Sequence, residues 1–265
     1  MDFTIVTPTL NQGRYIEQTL NSVISQQNVS VQYIVVDGGS SDETASILER
    51  YKSRVSTIIS EPDCGQADAL RKGFALAEGE IVAYLNSDDY FLPGTLERIR
   101  QLMNEHTDTD LIYGDRIFVD ADNNLIRYWK LPVHVDYVML RWDFIPQEAA
   151  FWRRSAMEFV GGIDKKYQFA MDYDLFARMM KAGKNFKHSD QFFAVFREHA
   201  EAKTSVLMNE LGMPEMELVR RENSIKILPW DHLIGAFYLA CLKSRSWMYR
   251  ILGPEPSDFT NRLRC

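Results

Sequence analysis

Short apolar runs alternate with helical patterns over the first 115 residues of the chain. Four of these runs are rich in β-branched residues and predict strands at Phe3–Thr7, Val31–Val36, Ser56–Ser60 and Ile81–Leu85. The segments between them repeat apolar residues at helical spacing, as over 15–24. Strands that read as continuous apolar runs are covered on both faces, so this alternation predicts a parallel sheet with crossover helices.

The pattern changes after Leu111–Tyr113, which is the next predicted strand. Ile117–Val119 and Leu125–Trp129 flank a turn-rich segment and predict a β-hairpin rather than another crossover unit. From about residue 200 onward the sequence is typical of helices, which Pro214 and Pro229 interrupt. We therefore expect an α/β domain followed by a helical extension.

Composition places the chain among ordinary globular proteins, with 46% hydrophobic and 25% charged residues in a length of 265. The formal net charge of −7 argues against a nucleic-acid partner, because such proteins need clustered cations to displace phosphate counterions. The charge is unevenly spread. From Arg220 to Cys265 eight Lys/Arg stand against four Asp/Glu, a net of +4, which leaves −11 for residues 1–219.

The three cysteines are too few and too scattered for a disulfide framework or a zinc site, and they fit a reducing cytoplasm. The chain opens directly on a strand-like segment instead of a charged and then apolar leader, so no secretory signal is expected. No run approaches the roughly 18 apolar residues of a membrane span. These features predict a cytoplasmic location.

The residues that follow the predicted strands are unusually polar and acidic. They are Thr7–Asn11, Asp37–Asp42, Glu61–Asp63 and Asn86–Asp89. In open parallel sheets ligands bind beyond the carboxyl ends of the strands, so these four segments predict one carboxylate-rich cleft.

Two of these segments have both a structural and a functional interpretation. Asp37 can accept a hydrogen bond from a nucleotide base while Ser41 or Asp42 caps the next helix, and the segment can equally be a capped turn alone. Asn86–Asp89 is more informative because it carries two adjacent acids where a cap needs one. Mg²⁺ or Mn²⁺ bound to a diphosphate takes oxygen ligands from one or two carboxylates.

Six ordered motifs resemble those of family 2 glycosyltransferases of the GT-A fold, over about residues 1–200. They are Ile5–Thr9 with Asn11, Val35–Thr44, Glu61–Asp63, Ala67–Gly73, Leu85–Asp89 with Pro93-Gly94, and Asp172–Leu175. The resemblance implies a Rossmann-like, mostly parallel sheet with helices on both faces. It also implies a GT-A domain over 1–200, with a nucleotide-sugar half at 1–115 and an acceptor half at 116–200, before an extension over 201–265.

The resemblance further implies an inverting transfer from a nucleotide diphosphate sugar, UDP-linked in our interpretation, to a glycan or lipid-linked glycan hydroxyl in bacterial surface-polysaccharide assembly. The donor would contact Thr7, Pro8, Thr9, Asn11, Asp37, Gly38, Asp68, Lys72, Asn86, Ser87 and Asp88. Asp88 would hold Mn²⁺ or Mg²⁺, although Asn86 stands where a first acid is common. His199 is a second candidate ligand, with a structural role as its alternative.

Asp172 falls where the family supplies its general base, at the predicted start of a helix that favours an ionised carboxylate. Asp174 is expected to point to a different side of that helix. Gln147 and Glu148 fall where the acceptor or leaving group is contacted, and Arg197 where the family closes over the diphosphate. Arginine suits phosphate because its planar fork binds two oxygens at once.

Two other functions remain open at this stage. A nucleotidylyltransferase would need a glycine-rich, basic phosphate loop after the first strand, which Thr7–Asn11 lacks. A catalytically silent sugar-nucleotide binding protein is suggested by Asn86 and by Met171, which replaces a frequent Glu, whereas Asp88 and Asp172 argue against it. The apolar and basic segment 230–252 is either a helix packed on the domain or a peripheral contact with the inner face of the cell membrane.

Overall fold

The computed structural model of the chain describes residues 1–253, and positions 254–265 of the predicted extension lie outside them. The described part holds nine strands: β1 (Phe3–Thr9), β2 (Val31–Asp37), β3 (Thr57–Ser60), β4 (Ile81–Tyr84), β5 (Tyr90–Phe91), β6 (Leu111–Val119), β7 (Leu125–Trp129), β8 (Ala150–Arg153) and β9 (Phe186–Arg197). Its helices are α1 (Gly13–Ile24), α2 (Thr44–Tyr51), α3 (Gln66–Phe74), α4 (Thr95–Glu105), α5 (Asp136–Met139), α6 (Arg154–Phe159), α7 (Met171–Lys181), α8 (Lys203–Leu207), α9 (Met213–Glu222) and α10 (Asp231–Leu252).

One sheet runs through the described residues in the order β3-β2-β1-β4-β8-β6-β9-β5, and β7 pairs with β6 outside this path. The first four strands are parallel, with Val6 opposite Ile34 in β2 and Tyr84 in β4. β6 and β9 point the same way as these four, whereas β5, β7 and β8 are antiparallel to their neighbours. The sheet is therefore mostly parallel, and the predicted α/β fold class is confirmed.

Helices cover both faces of the sheet because successive strand residues point to opposite sides. Ile5 belongs to a core with apolar residues of α1, α2 and α4. Its neighbour Val6 belongs to the other core, with residues of α3 and α7. This second core also contains Val219 of α9 and Tyr238 of α10, so the extension packs on the sheet side that carries α7.

The predicted elements of the first half agree with the structure to within a few residues, and the second half holds the differences. Leu111–Tyr113 and Ile117–Val119 were expected as separate strands but form the continuous β6. Polar Asp115 and Arg116 interrupt the apolar run there, while Gly114 lets β9 approach: a Cβ at Gly114 would lie 2.4 Å from the Phe193 ring. The short β5 and the long β9, whose first half is polar, were not predicted.

The region after residue 200 is helical, as predicted, with a π-helical turn over Met208–Gly212 between α8 and α9. The division of the chain at residue 200 stays a prediction. Among residues 1–253, no helix combines the length and the apolar character that a membrane crossing requires.

Candidate active site

An open cavity of about 750 Å³ lies at the carboxyl ends of β1 and β4. Its lining consists of two groups of residues, which we call walls: one comes from the loops after β1, β3 and β4, and the other from Arg116, the 143–148 segment and Asp172. Residues of the 198–208 segment line it as well. Of the predicted site residues, it brings together Pro8, Thr9, Asn86, Ser87, Asp88, Gln147, Glu148 and Asp172.

Asp37 lies behind the cavity wall rather than on it, and its side chain is engaged within the protein. One oxygen accepts hydrogen bonds from the Ser40 backbone N–H at 3.0 Å and from Ser40 Oγ at 2.5 Å. The other accepts from Ser60 Oγ at 2.7 Å. Asn11 continues this network, since its backbone N–H donates to Ser40 Oγ and its side-chain Oδ1 accepts from the Ser41 backbone N–H, both at 2.8 Å. These bonds fix the loops after β1, β2 and β3 relative to one another.

The β1 residues differ in what they offer a ligand. Thr7 Oγ1 is buried and hydrogen-bonded to the Tyr33 hydroxyl at 3.0 Å, so its side chain serves the core. Thr9 lines the cavity, and its Oγ1 is buried without a hydrogen-bond partner. Gly38 packs against the next loop, because a Cβ there would lie 2.8 Å from Asp63 Oδ2. Thr9 is therefore the β1 side chain with unused hydrogen-bonding capacity.

Asp68 and Lys72 form a charged cluster on α3 outside the cavity lining. Lys72 Nζ lies 2.7 Å from Glu61 Oε1 and 3.6 Å from Asp68 Oδ2, and the hydrogen bond with Glu61 raises the Lys72 pKa. Both side chains can approach a diphosphate only by leaving these partners. Their predicted donor contact stays a prediction.

The loop after β4 brings the predicted metal residues to the cavity. Asn86 Oδ1 accepts from Gln66 Nε2 at 2.7 Å, and its Nδ2 donates to Gln147 Oε1 at 3.5 Å. The Ser87 side chain is buried, and its backbone carbonyl accepts from Thr19 Oγ1 at 2.9 Å. Asn86 therefore connects this loop to α3 and to Gln147, a role that does not require a charge.

Asp88, which lines the cavity, contacts His199, which lies outside the cavity lining and 111 positions later in the sequence. Asp88 Oδ2 lies 3.0 Å from His199 Nε2, and the imidazole packs against the Tyr15 ring at 4.8 Å between centroids. Carboxylate oxygen suits Mn²⁺ and Mg²⁺, whereas imidazole nitrogen is more typical of other first-row metals, so Asp88 is the stronger candidate ligand of the two. Within residues 1–253 no group of three or more His, Cys, Asp or Glu could hold a metal, so water and diphosphate would have to supply the other ligands.

Arg197 is 1% exposed and directs its donors into the protein. Its Nε donates to the Asp88 carbonyl at 2.9 Å, and one terminal nitrogen donates to Gln18 Oε1 at 2.6 Å. Its backbone N–H donates to Asp89 Oδ1 at 2.9 Å. Arg197 does not line the cavity, so this geometry makes it a positioning residue for the Asp88 loop, and its predicted diphosphate contact stays a prediction.

Asp172 stands at the start of α7 and faces the cavity. Burial raises its pKa to about 6, against the lowering effect of a hydrogen bond from the Tyr173 N–H and of the nearby Lys203 ammonium. Asp174 points elsewhere and accepts two hydrogen bonds from Arg178, at 2.9 and 2.6 Å. The prediction that these two acids serve different sides of the helix is confirmed.

Gln147 and Glu148 lie in a short 3₁₀ turn over Gln147–Ala149 that precedes β8. Gln147 Nε2 donates to the Tyr84 carbonyl at 2.6 Å, and Glu148 is paired with Arg116 at 3.1 Å. The Arg116 guanidinium is in turn stacked near the rings of Phe118 and Phe196. The turn is thus tied to β4 and β6.

Asp143 and Lys203 are two ionisable residues of the cavity that the sequence analysis did not identify. Asp143 is half-buried in the loop after α5, and burial together with the negative charge of Asp172 raises its pKa well above the usual range. Lys203 at the start of α8 donates to Gln66 Oε1 at 2.8 Å and to the Gln168 carbonyl, and burial lowers its pKa. Neither residue belongs to a periodic pattern or a motif, so no sequence signal marks it.

The family model for glycosyl transferase family 2 matches residues 4–200. The chain belongs to this family. The match covers the sheet and every cavity residue named above up to His199, and it confirms the predicted resemblance. Lys203 lies just beyond it.

A PGL/p-HBAD biosynthesis glycosyltransferase of Mycobacterium bovis is 30% identical to this glycosyltransferase over 176 residues, which are 65% of this chain and 67% of the relative. The structure of S. aureus TarS 1-349 in complex with UDP-GlcNAc superposes with a TM-score of 0.70 and 18% identity, covering 97% of this chain and 78% of that TarS chain. PcManGT from Pyrobaculum calidifontis, a mannosyltransferase in complex with GDP-Man and Mn²⁺, superposes with a TM-score of 0.60 and 16% identity. The superposition covers 98% of this chain and 78% of the PcManGT chain. The fold is therefore GT-A, as the sequence analysis predicted.

Proposed function

We propose that this glycosyltransferase catalyses a metal-dependent, inverting transfer of a sugar from a UDP-linked donor to the hydroxyl of a glycan acceptor in surface-polysaccharide synthesis. The observation that carries the proposal is the placement of Asp88, which contacts His199, and of Asp172 in the lining of one cavity. One wall suits a diphosphate and its cation, and the other suits a proton acceptor.

In the proposed reaction the acceptor oxygen forms a bond to the anomeric carbon of the donor sugar. The bond from that carbon to the diphosphate oxygen breaks, and the nucleotide diphosphate leaves. The acceptor proton passes to Asp172, whose pKa of about 6 keeps it mostly ionised at neutral pH yet basic enough to take a proton. The products are the lengthened glycan, the nucleotide diphosphate and a proton.

Asp88 and His199 would hold the cation, and Asn86, Arg197 and Gln18 would keep the Asp88 loop in place. A bound Mn²⁺ or Mg²⁺ supplies positive charge that offsets the diphosphate. Thr9 Oγ1, which has no hydrogen-bond partner within the protein, would donate a hydrogen bond to the nucleotide sugar or accept one from it. Asp37 would contact the base by exchanging one of its serine bonds.

Three similarities support the finer parts of the proposal. TarS was solved with UDP-GlcNAc, which supports a UDP-linked donor. PcManGT was solved with Mn²⁺, which supports the cation. The Mycobacterium relative is named for a biosynthetic glycosyltransferase, which supports a role in building a larger glycoconjugate.

A panel of nucleotide sugars with Mn²⁺ tests the function directly. We expect one donor to raise the melting temperature and to release its nucleotide diphosphate when an acceptor is present, with excess chelator abolishing both effects. Stabilisation by a donor without release, across a broad set of acceptors, would instead identify a silent sugar-nucleotide binding protein. Release that continues unchanged in chelator would contradict the metal dependence.

A further inference from the structure

Helix α10 (Asp231–Leu252) has two unlike faces along its 22 residues. One face is buried: Tyr238 and Leu242 join the core, and Gly235 lies so close to the Trp142 ring that a Cβ would approach it to 2.9 Å. The opposite face is apolar and exposed, and we call it the outer face. It is formed by Leu233, Ile234, Phe237, Trp247, Ile251 and Leu252.

The exposure of the outer face is high for side chains of this size. Leu233 is 74% exposed, Phe237 72% and Trp247 64%. The face extends over most of a helix about 33 Å long. Contiguous apolar surface of this extent marks an interaction site rather than the scattered apolar residues of an ordinary surface.

The charged residues that α10 itself carries after Asp231 have one sign. Between His232 and Leu252 the sequence contains no Asp or Glu, and its charged residues are Lys243, Arg245 and Arg250. Lys243 and Arg250 are exposed and lie seven residues apart, so they border the same side of the face. Arg245 borders the other side and is held by Asp190 at 2.7 Å. An apolar face with cationic borders matches the chemistry of an anionic lipid surface, where acyl chains meet phosphate headgroups.

The helix is also close to the cavity. Phe144 packs on Tyr238 of α10 at 4.8 Å between ring centroids, and Phe144 itself lines the cavity beside Asp143. At the other end of the helix Ser246 Oγ accepts from the Lys130 N–H at 3.0 Å, next to the cavity residue Trp129. The buried face of α10 therefore contacts the segments that form the acceptor side of the cavity.

We propose that the outer face of α10 rests on an anionic phospholipid surface and brings the acceptor side of the cavity to a lipid-linked acceptor. Trp230 and Trp247, near the two ends of the face, suit the interfacial region that tryptophan prefers. The helix lies in the plane of the interface and does not span the bilayer. Only the identity of the acceptor rests on the proposed function; the binding to lipid does not.

A second copy of the chain is the competing occupant of the outer face. The cationic borders favour lipid, because a symmetric pair of helices would bring like charges together while an anionic surface neutralises them. Self-association changes the mass of the protein in solution, whereas lipid binding does not, so the two occupants give different results.

Co-sedimentation with vesicles tests the proposal without donor or acceptor. We expect the full chain to bind phosphatidylcholine vesicles that contain about 30% phosphatidylglycerol at about 0.05 M salt, and to bind far less at about 0.5 M salt or without the anionic lipid. The variant Leu233→Glu/Phe237→Glu/Trp247→Glu should lower the partition coefficient of the protein between vesicles and solution by at least about tenfold. Lys243→Gln/Arg250→Gln should lower it by about tenfold and reduce its salt dependence.

Matched controls separate the outer face from general surface effects. Phe159→Glu introduces the same charge at a side chain that is 71% exposed on α6, and Lys52→Gln removes a cation from the end of α2; both should bind vesicles as the unchanged protein does. The melting temperature and the release of nucleotide diphosphate with a water-soluble acceptor should be unaltered in the α10 variants. Equal binding to neutral and anionic vesicles, no binding to either, or a dimer in light scattering that the triple variant dissociates would overturn the proposal.

Discussion

The two walls of the cavity differ in how their polar groups are satisfied. Behind the proposed donor wall Asp37 and Asn11 make short hydrogen bonds to serine residues, and Lys72 is paired with Glu61. On the proposed acceptor wall the pKa values of Asp143 and Asp172 are raised, because burial disfavours their charges and few donors compensate. Both walls are rich in carboxylates, so composition does not distinguish them.

This difference predicts that one wall recognises the nucleotide and the other takes part in proton transfer. Satisfied hydrogen bonds hold a rigid shape, which suits the recognition of a nucleotide that must bind in one orientation. A carboxylate with a raised pKa exchanges a proton near neutral pH, which suits catalysis. Apart from the proposed cation ligand Asp88, substitutions on or behind the proposed donor wall should therefore act mainly on affinity, and substitutions on the proposed acceptor wall mainly on turnover.

The largest effect is expected for Asp88→Ala, which removes the carboxylate from the Asp88–His199 pair that is proposed to bind the cation. Turnover should fall by about a thousandfold at saturating Mn²⁺, because the leaving diphosphate loses its fixed counter-charge. Initial rates across a Mn²⁺ titration measure this. Asp122→Ala, an exposed acid in the β6–β7 turn, is the matched control and should keep full activity. Near-normal turnover of Asp88→Ala would show that the cation is not bound at Asp88.

Asp172→Asn should lower kcat by at least about a hundredfold while the Kd for the donor stays the same. Asparagine keeps the size of the side chain but cannot accept the acceptor proton. Single-turnover rates and calorimetric donor binding separate the two quantities. Asp174→Asn is the control, since its carboxylate is bound to Arg178, and it should alter stability rather than kcat. If Glu148→Gln abolishes turnover and Asp172→Asn does not, the base belongs to the other acid.

The pH dependence of kcat should show an acid limb near pH 6, because a base acts only when it has lost its proton and the Asp172 pKa is about 6. From pH 7 to pH 5 the ionised fraction, and hence kcat, should fall by about tenfold. Lys203→Met removes a cation that lowers this pKa, so the limb should move up by about half a pH unit or more. Lys52→Met should leave it in place, and a limb unmoved by Lys203→Met would exclude this electrostatic coupling.

The smallest effect is expected for the hydrogen-bond network behind the proposed donor wall. Ser40→Ala removes the hydroxyl that donates to Asp37 and accepts from the Asn11 N–H, which should loosen two loops and weaken UDP binding by about fivefold. Calorimetry on this variant and on Ser46→Ala, an exposed serine of α2, compares the two losses. A fall in kcat with unchanged affinity would contradict the assignment of this wall to recognition.

Sequence patterns predicted the parallel first half, the helical extension and the polar strand ends at the cavity, and the family resemblance added Gln147, Glu148 and Asp172. Local chemistry decides these features: apolar runs determine strands, and polar motifs at strand ends determine where a ligand binds. β9 was missed because its first half is polar, and β6 was divided because Asp115 and Arg116 lie inside it. Both strands are stabilised by pairing with each other, which no local pattern reveals.

The tertiary structure decided how each candidate residue is used. The sequence could place Asp37, Arg197 and Asp172 in a functional region, but not show that Asp37 is held by serines, that Arg197 is buried, or that burial raises the Asp172 pKa. It also could not show Asp143 beside Asp172. Hydrogen-bond partners and desolvation depend on residues distant in the chain, so only the folded protein separates a group that holds the site from a group that reacts.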